Sequence, residues 1–211
     1  MDKRLCITVT AVVAALALTA CSESPKPAAT ETKPGVEVKK EPPKPPEPVA
    51  AQTAFYEMYK PARTWATDLL PLSLASGELK SLKNADGKAA MWTAVFVSPS
   101  RQEARTFFYA VVSEGESVTK GVSAGGSQAW SGPTAKSRPF QTTEFVVNSD
   151  AIYKTASAKA EGWLKSHPGK TATMYLGSSA KYPSPVWLVI WGTTKDGYAV
   201  YVDATTGIVM K

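Results

Sequence analysis

The sequence predicts an α+β protein of two repeated modules, each one helix packed on a small antiparallel sheet, preceded by a secretion signal and a long tether. Three observations predict it. One pattern occurs twice: Ala62-x-x-Trp65, Trp92-x-x-x-Phe96 and Phe107 to Val112 are echoed in the same order by Ala160-x-x-Trp163, Trp187-x-x-x-Trp191 and Tyr198 to Val202. The apolar period is helical up to each Ala-x-x-Trp and extended after it. Finally, six Trp, eight Tyr and six Phe supply the apolar bulk of a packed core.

The chain opens with Lys3 and Arg4, followed by an apolar run from Leu5 to Leu18. That length fits a signal-peptide core of ~7–15 residues and falls short of the ~20 needed to span a bilayer. Leu18-Thr19-Ala20-Cys21 resembles a bacterial lipoprotein signal, which implies removal of residues 1–20 and acylation of Cys21 as the membrane attachment. Ser22 after the cysteine resembles lipoproteins sorted to the outer membrane, facing the periplasm. Several acyl chains at ~0.8 kcal/mol per buried methylene make such an anchor effectively permanent. Cys21 would be the mature chain's only cysteine, so no disulfide is expected.

Residues 21–50 read as a disordered tether. Ser22 to Ala50 holds eight of the sixteen prolines, alternates Lys with Glu and carries almost no large apolar residue. It would reach on the order of 90 Å fully extended, or about 30 Å as a coil. The formal charge of +6 becomes +5 when Asp2, Lys3 and Arg4 leave. Its lysines are spread out, without the aromatic-interleaved basic blocks of a nucleic-acid binder, so no nucleic-acid partner is expected.

The first module is placed at 51–125. Phe55, Tyr59, Ala62, Ala66 and Leu69 share a helical face, and Pro61 within it predicts a kink or a fresh start. Leu72 to Leu82 reads as strand or loop, Asn84-Ala85-Asp86-Gly87 as a turn, and Met91 to Val97 pairs with Thr106 to Val112 around Ser98-Pro99-Ser100. A connecting loop is placed at 126–147, within a Gly/Ser-rich insertion from Ser123 to Arg138. Its lone Trp130 either folds back as a plug or waits for a partner.

The second module is placed at 148–211. Asn148 or Ser149 can cap a helix whose face is Tyr153, Ala156, Ala160, Trp163 and Leu164, and His167-Pro168-Gly169 stops it. Strands follow at Thr171 to Leu176, Val186 to Trp191 and Tyr198 to Asp203, with a short end strand at Ile208 to Met210. Asp196-Gly197 is expected to supply the hairpin's positive φ. Val186 to Trp191 is apolar at every position, which asks for cover on both faces. A helix covers one; the companion module, a dimer mate or a partner is expected on the other. The two modules are expected to pack through their apolar sheet faces.

Val186 to Lys211, with Trp187 in one strand and Tyr198-Ala199-Val200-Tyr201-Val202-Asp203-Ala204-Thr205-Thr206-Gly207 closing the next, resembles the final hairpin of a PepSY-type module. The whole chain resembles bacterial envelope lipoproteins with two such halves. The resemblance implies a non-enzymatic module that inhibits or positions a protein partner.

The sequence offers little for catalysis. One histidine, His167, stands beside a helix-stopping proline, and zinc sites need several His or Cys. Ser178-Ser179-Ala180-Lys181 matches Ser-x-x-Lys only in spacing. Asp68, Asp86, Asp150 and Asp203 read as helix-end or turn residues, with Asp203 bonding its own turn toward Gly207. Gly125-Gly126-Ser127 reads as a flexible loop and no phosphate loop is present. No cofactor or metal is expected. Trp65, Trp92, Trp163, Trp187 and Trp191 read as core. The candidate partner or ligand surface is Trp130, Trp187 and Trp191. The expected function is a lipid-anchored protein-interaction module; the alternative is a small-ligand or glycan binder using a Trp-lined groove between the modules.

Overall fold

The computed structural model describes residues 44–193 and 196–210. The signal, Cys21 and the tether up to residue 43 lie outside them. The described residues belong to one compact unit. The chain enters through β1 (Val49–Ala50) and α1 (Ala51–Trp65), continues through β2 (Leu70–Gly77), β3 (Lys88–Ala89), β4 (Met91–Ser98), β5 (Glu103–Ala110) and β6 (Gly121–Ala129), and completes α2 (Ser149–Ser166), β7 (Ala172–Gly177), β8 (Val186–Trp191) and β9 (Tyr198–Asp203). The fold class is α+β, as expected. β1 pairs with β3, so the first strand among the described residues, Val49–Ala50, falls inside the span assigned to the tether. The indole N–H of Trp92 donating to Val49 O at 2.9 Å adds to that attachment.

Seven strands form one antiparallel sheet in the order β6-β5-β4-β2-β7-β8-β9. On one side of the β2–β7 seam α1 accompanies four antiparallel strands, β2, β4, β5 and β6, and on the other α2 accompanies three, β7, β8 and β9. The two halves are therefore joined edge to edge, not face to face as expected. Uncharged β2 offers hydrogen-bonding edges on both sides, and β4 takes one while β7 takes the other, through Ser73↔Gly177, Leu74↔Leu176 and Ala75↔Tyr175.

Register places Trp92, Ala94 and Phe96 on the same face as Leu74, Leu176, Trp187, Val189 and Trp191. Both helices pack on this face. α1 buries Ala51, Ala54, Phe55, Met58 and Ala62, and runs unbroken through Pro61, whose ring is exposed. α2 buries Ser149, Ile152, Ala156 and Ala160. The echoed tryptophans meet: Trp92 and Trp187 stand edge to face at 6.3 Å, both fully buried. Each such ring removes ~150–250 Å² from water, on the order of 4–6 kcal/mol at ~25 cal/mol per Å².

The helix starts are capped across the two halves. Ala50 offers α1 no capping side chain. Instead the Ala51 N–H donates to Ser149 Oγ at 2.8 Å and the Gln52 N–H to Asn148 Oδ1 at 3.0 Å. Asn148 Oδ1 also accepts from Ser149 N at α2's own start. Two orphan donors of one helix are thus satisfied by residues that open the other.

Three local expectations change. Residues 121–129 are a strand, so the first module's boundary at 125 cuts through β6 and the connecting loop begins at 130. The positive φ of the β8–β9 connection is at Gly192 (82°), whereas Gly197 is required by space: a Cβ there would lie 2.8 Å from Trp191 O. Residues 208–210 form only a single bridge, Val202↔Val209.

Candidate functional site

Trp187 and Trp191 are 0% exposed beneath the helices, so they form no partner surface. The reason is register: both lie on the helix-covered side of β8. The opposite side carries Val186, Leu188 and Ile190. The companion half does not cover it; Leu188 and Ile190 stay half-buried between neighbouring side chains. Trp130, the third expected surface residue, is half-buried and belongs to no core cluster, so it is no plug. It stands where β6 leaves the sheet, with its N–H donating to Gln102 O at 2.8 Å.

That position makes the β6 edge the strongest candidate site. The two edges of the sheet differ. Along β9 the tail turns back: Asp203 N donates to Ile208 O at 2.9 Å and Met210 N to Tyr201 O at 2.8 Å. Asp203 fixes this turn by accepting from Thr205 N, Thr206 N and the Thr206 hydroxyl, and Gly207 completes it at φ 72°, as its sequence predicts. β6 has no such cover among the described residues. Its nine residues, GVSAGGSQA, include no charge and no proline, the devices that usually protect an edge from pairing.

The segments around β6 hold it firmly. Before it, the carboxylate of Glu114 accepts from Ser81 N at 2.7 Å and Lys80 N at 3.1 Å, pinning the 111–120 loop. Hydrogen bonding from Ser81, then from Lys80, keeps that carboxyl below its usual range. Within the hairpin a bulge separates Arg105 and Phe107, and Arg105 Nε spans it to Gly125 O at 2.9 Å. At its end, Arg101, Glu103, Gln128 and Trp130 border an open depression. The arrangement can accept an extended peptide as an eighth strand, with small side chains allowing close approach and Trp130 available as an anchor.

The Trp-lined groove expected between the halves is not found among the described residues; a cavity with one tryptophan in its lining is. A cavity of 260 Å³ lies between Asn84–Ala89 and the Tyr153, Lys170 and Thr171 side, with buried Trp92 in its lining. Asp86 (φ 50°) and Gly87 (φ 75°) form its predicted turn.

The remaining candidates resolve into structural parts. His167 ends α2, its ring stacked on Trp163 at 4.1 Å and Nδ1 2.9 Å from Trp163 O. Asp68 accepts from the Ser98 hydroxyl at 2.6 Å and Ser100 N at 2.8 Å, bonds that lower its pKa to about 2. Among the described residues there is no group of three or more metal-binding side chains, and no helix long and apolar enough to cross a membrane.

No protein-family model matches the chain, and no curated protein matches it. Among solved structures it is similar to that of a putative lipoprotein from Clostridium difficile 630, with a TM-score of 0.45 and 8% identity, over 75% of this chain and 90% of that one.

Proposed function

We propose that this is a non-enzymatic protein of the cell envelope, anchored through lipid on Cys21 in the outer membrane facing the periplasm, which works by binding a protein partner. The observation that carries this reading is β6: a nine-residue, uncharged, uncovered edge strand followed directly by Trp130. The partner contributes an extended segment that pairs with β6, so the main chain supplies affinity and Trp130 supplies selectivity.

The test is site-specific photo-crosslinking in the native envelope. A photoreactive residue at Ser123 or Ser127 should give one discrete protein adduct, and the same residue at Tyr56 on the outside of α1 should give none. Ser123→Lys with Gln128→Lys should abolish the adduct. Equal adducts at all three positions, or none, would refute the reading.

A second reading is favoured by the cavity between the halves, where Lys88 and Lys170 have no carboxylate partner among the described ion pairs. Under it a small anionic ligand fills the cavity against Trp92, and saturable quenching of tryptophan fluorescence by peptidoglycan fragments would separate it from the first.

A further inference from the structure

At the far end of the sheet from β6, three tyrosines gather around a buried hydroxyl. Tyr175↔Leu188 and Leu188↔Tyr201 set these side chains in one row on the face that the helices leave open. Tyr175 and Tyr201 are each 40% exposed. Tyr182 tilts against Tyr201 at 5.5 Å, held by Ser179 N donating to Tyr182 O and Tyr182 N to Ser179 Oγ. Together with Lys136 they line a hollow of 100 Å³. Lys136 arrives on the 130–148 connector, which Ala180 N→Ala135 O and Arg138 N→Ser178 O fasten to this end of the sheet. Lys181 Nζ sits 4.8 Å from the centre of the Tyr182 ring.

Ser178 lines the same hollow. It is 4% exposed, and its Oγ has no hydrogen-bond partner. Buried hydroxyls are nearly always paired, so an orphan beside a hollow calls for a partner from outside. The rest of the lining says what kind. Tyrosine faces suit the C–H face of a sugar ring, while their hydroxyls reach its rim. Neither Lys136 nor Lys181 is in an ion pair among the described residues. The carboxylate on the adjoining strand end, Asp203, is taken up by Thr205 and Thr206. The hollow therefore offers aromatic faces and the charge of Lys136, with Lys181 beside it over Tyr182 and the unsatisfied Ser178 hydroxyl buried in its wall, and its size fits one face of one ring.

We propose that Tyr175, Tyr182, Tyr201, Ser178, Lys136 and Lys181 form a binding site for a carboxylated sugar. The ring lies on Tyr182 and Tyr201, a ring hydroxyl completes Ser178, and the carboxylate meets the lysines. The site is distinct from β6 and from the cavity between the halves.

The test uses the full chain in detergent with its eight tyrosines labelled, titrated with N-acetylmuramic acid, galacturonic acid and neutral N-acetylglucosamine. The three site tyrosines should shift with both acids, and at least tenfold higher neutral sugar should be needed for the same shift. Lys136→Ala should erase the preference for acids. Tyr201→Ala, with thermal unfolding followed to show that the chain stays folded, should weaken all binding about tenfold. Tighter binding of muramic acid assigns the sugar to cell wall, and tighter binding of galacturonic acid assigns it to another surface polymer. Equal response to the neutral sugar, shifts in other tyrosines instead, or no shift would overturn the proposal.

Discussion

Replacing Ser149 by alanine tests the cross-cap between the halves. The Ala51 N–H is buried and donates only to Ser149 Oγ at 2.8 Å. Without that oxygen it keeps no partner, because α1 starts there and Ala50 has no capping side chain. Leaving a buried donor unsatisfied costs about 1–3 kcal/mol, and loss of a helix-start cap about 1 kcal/mol by a separate measure of the same event. A loss of about 2 kcal/mol is expected, or about 4–8 °C in Tm for a domain of this size. Urea unfolding followed by circular dichroism gives the free energy, and amide exchange gives the location. Exchange at Ala51 and Gln52 should rise by more than the global change allows. A loss below about 0.5 kcal/mol, or unchanged exchange at Ala51, would refute the reasoning.

Gly87→Ala should destabilise by about 3 kcal/mol or more in the same unfolding assay, because φ is 75° and the new Cβ would strike Ser149 O, Tyr153 Cβ and Asp150 Cα; Gly115→Ala, at φ 59° in open space, should cost about 1 kcal/mol. Asp68 has a folded pKa depressed to about 2 from 3.8, so its contribution is fully present above about pH 4 and is lost as pH falls toward 2. In urea titrations across that range the gap between wild type and Asp68→Asn should therefore close toward acid; a gap that widened there would contradict the assignment. Trp92→Phe should cost about 1–2 kcal/mol more than Trp191→Phe, since both trim a fully buried ring but only the first orphans Val49 O and loosens β1, while the Trp191 indole N–H has no partner to lose.

Side-chain periodicity was informative wherever side chains drive the structure. Val186 to Trp191 and Tyr198 to Asp203 alternate or run apolar, and both form strands at the expected bounds. The Asp203 turn and the α2 start at Ser149 likewise follow from local chemistry. β6 did not follow, because Gly121 to Ala129 lacks apolar alternation and is a strand only through its ladder to β5. The cross-cap was equally invisible, since Ser149 lies 98 residues from the amide that it caps. Trp187 and Trp191 lie in the core, as their apolar strand suggests, and the candidate surface drawn on them fails because strand composition does not say which side the helices take. The tyrosine site left a faint trace. Tyr175, Leu188 and Tyr201 are thirteen residues apart in turn, a spacing that means something only once both hairpin registers are known.

The β2–β7 seam also bears on how the chain is made. A polypeptide emerging amino end first completes β2 and then β4 and β5 within some forty residues, but β7 follows only after the connector and the whole of α2. Through that interval β2 is a terminal strand, LPLSLASG, with leucines along it and no charge to repel another chain. Such an edge is open to intermolecular pairing. The final protein hides it at the centre of the sheet, so the hazard belongs to the nascent chain alone, and slowing emergence between residues 130 and 172 should raise aggregation without altering the stability of whatever folds.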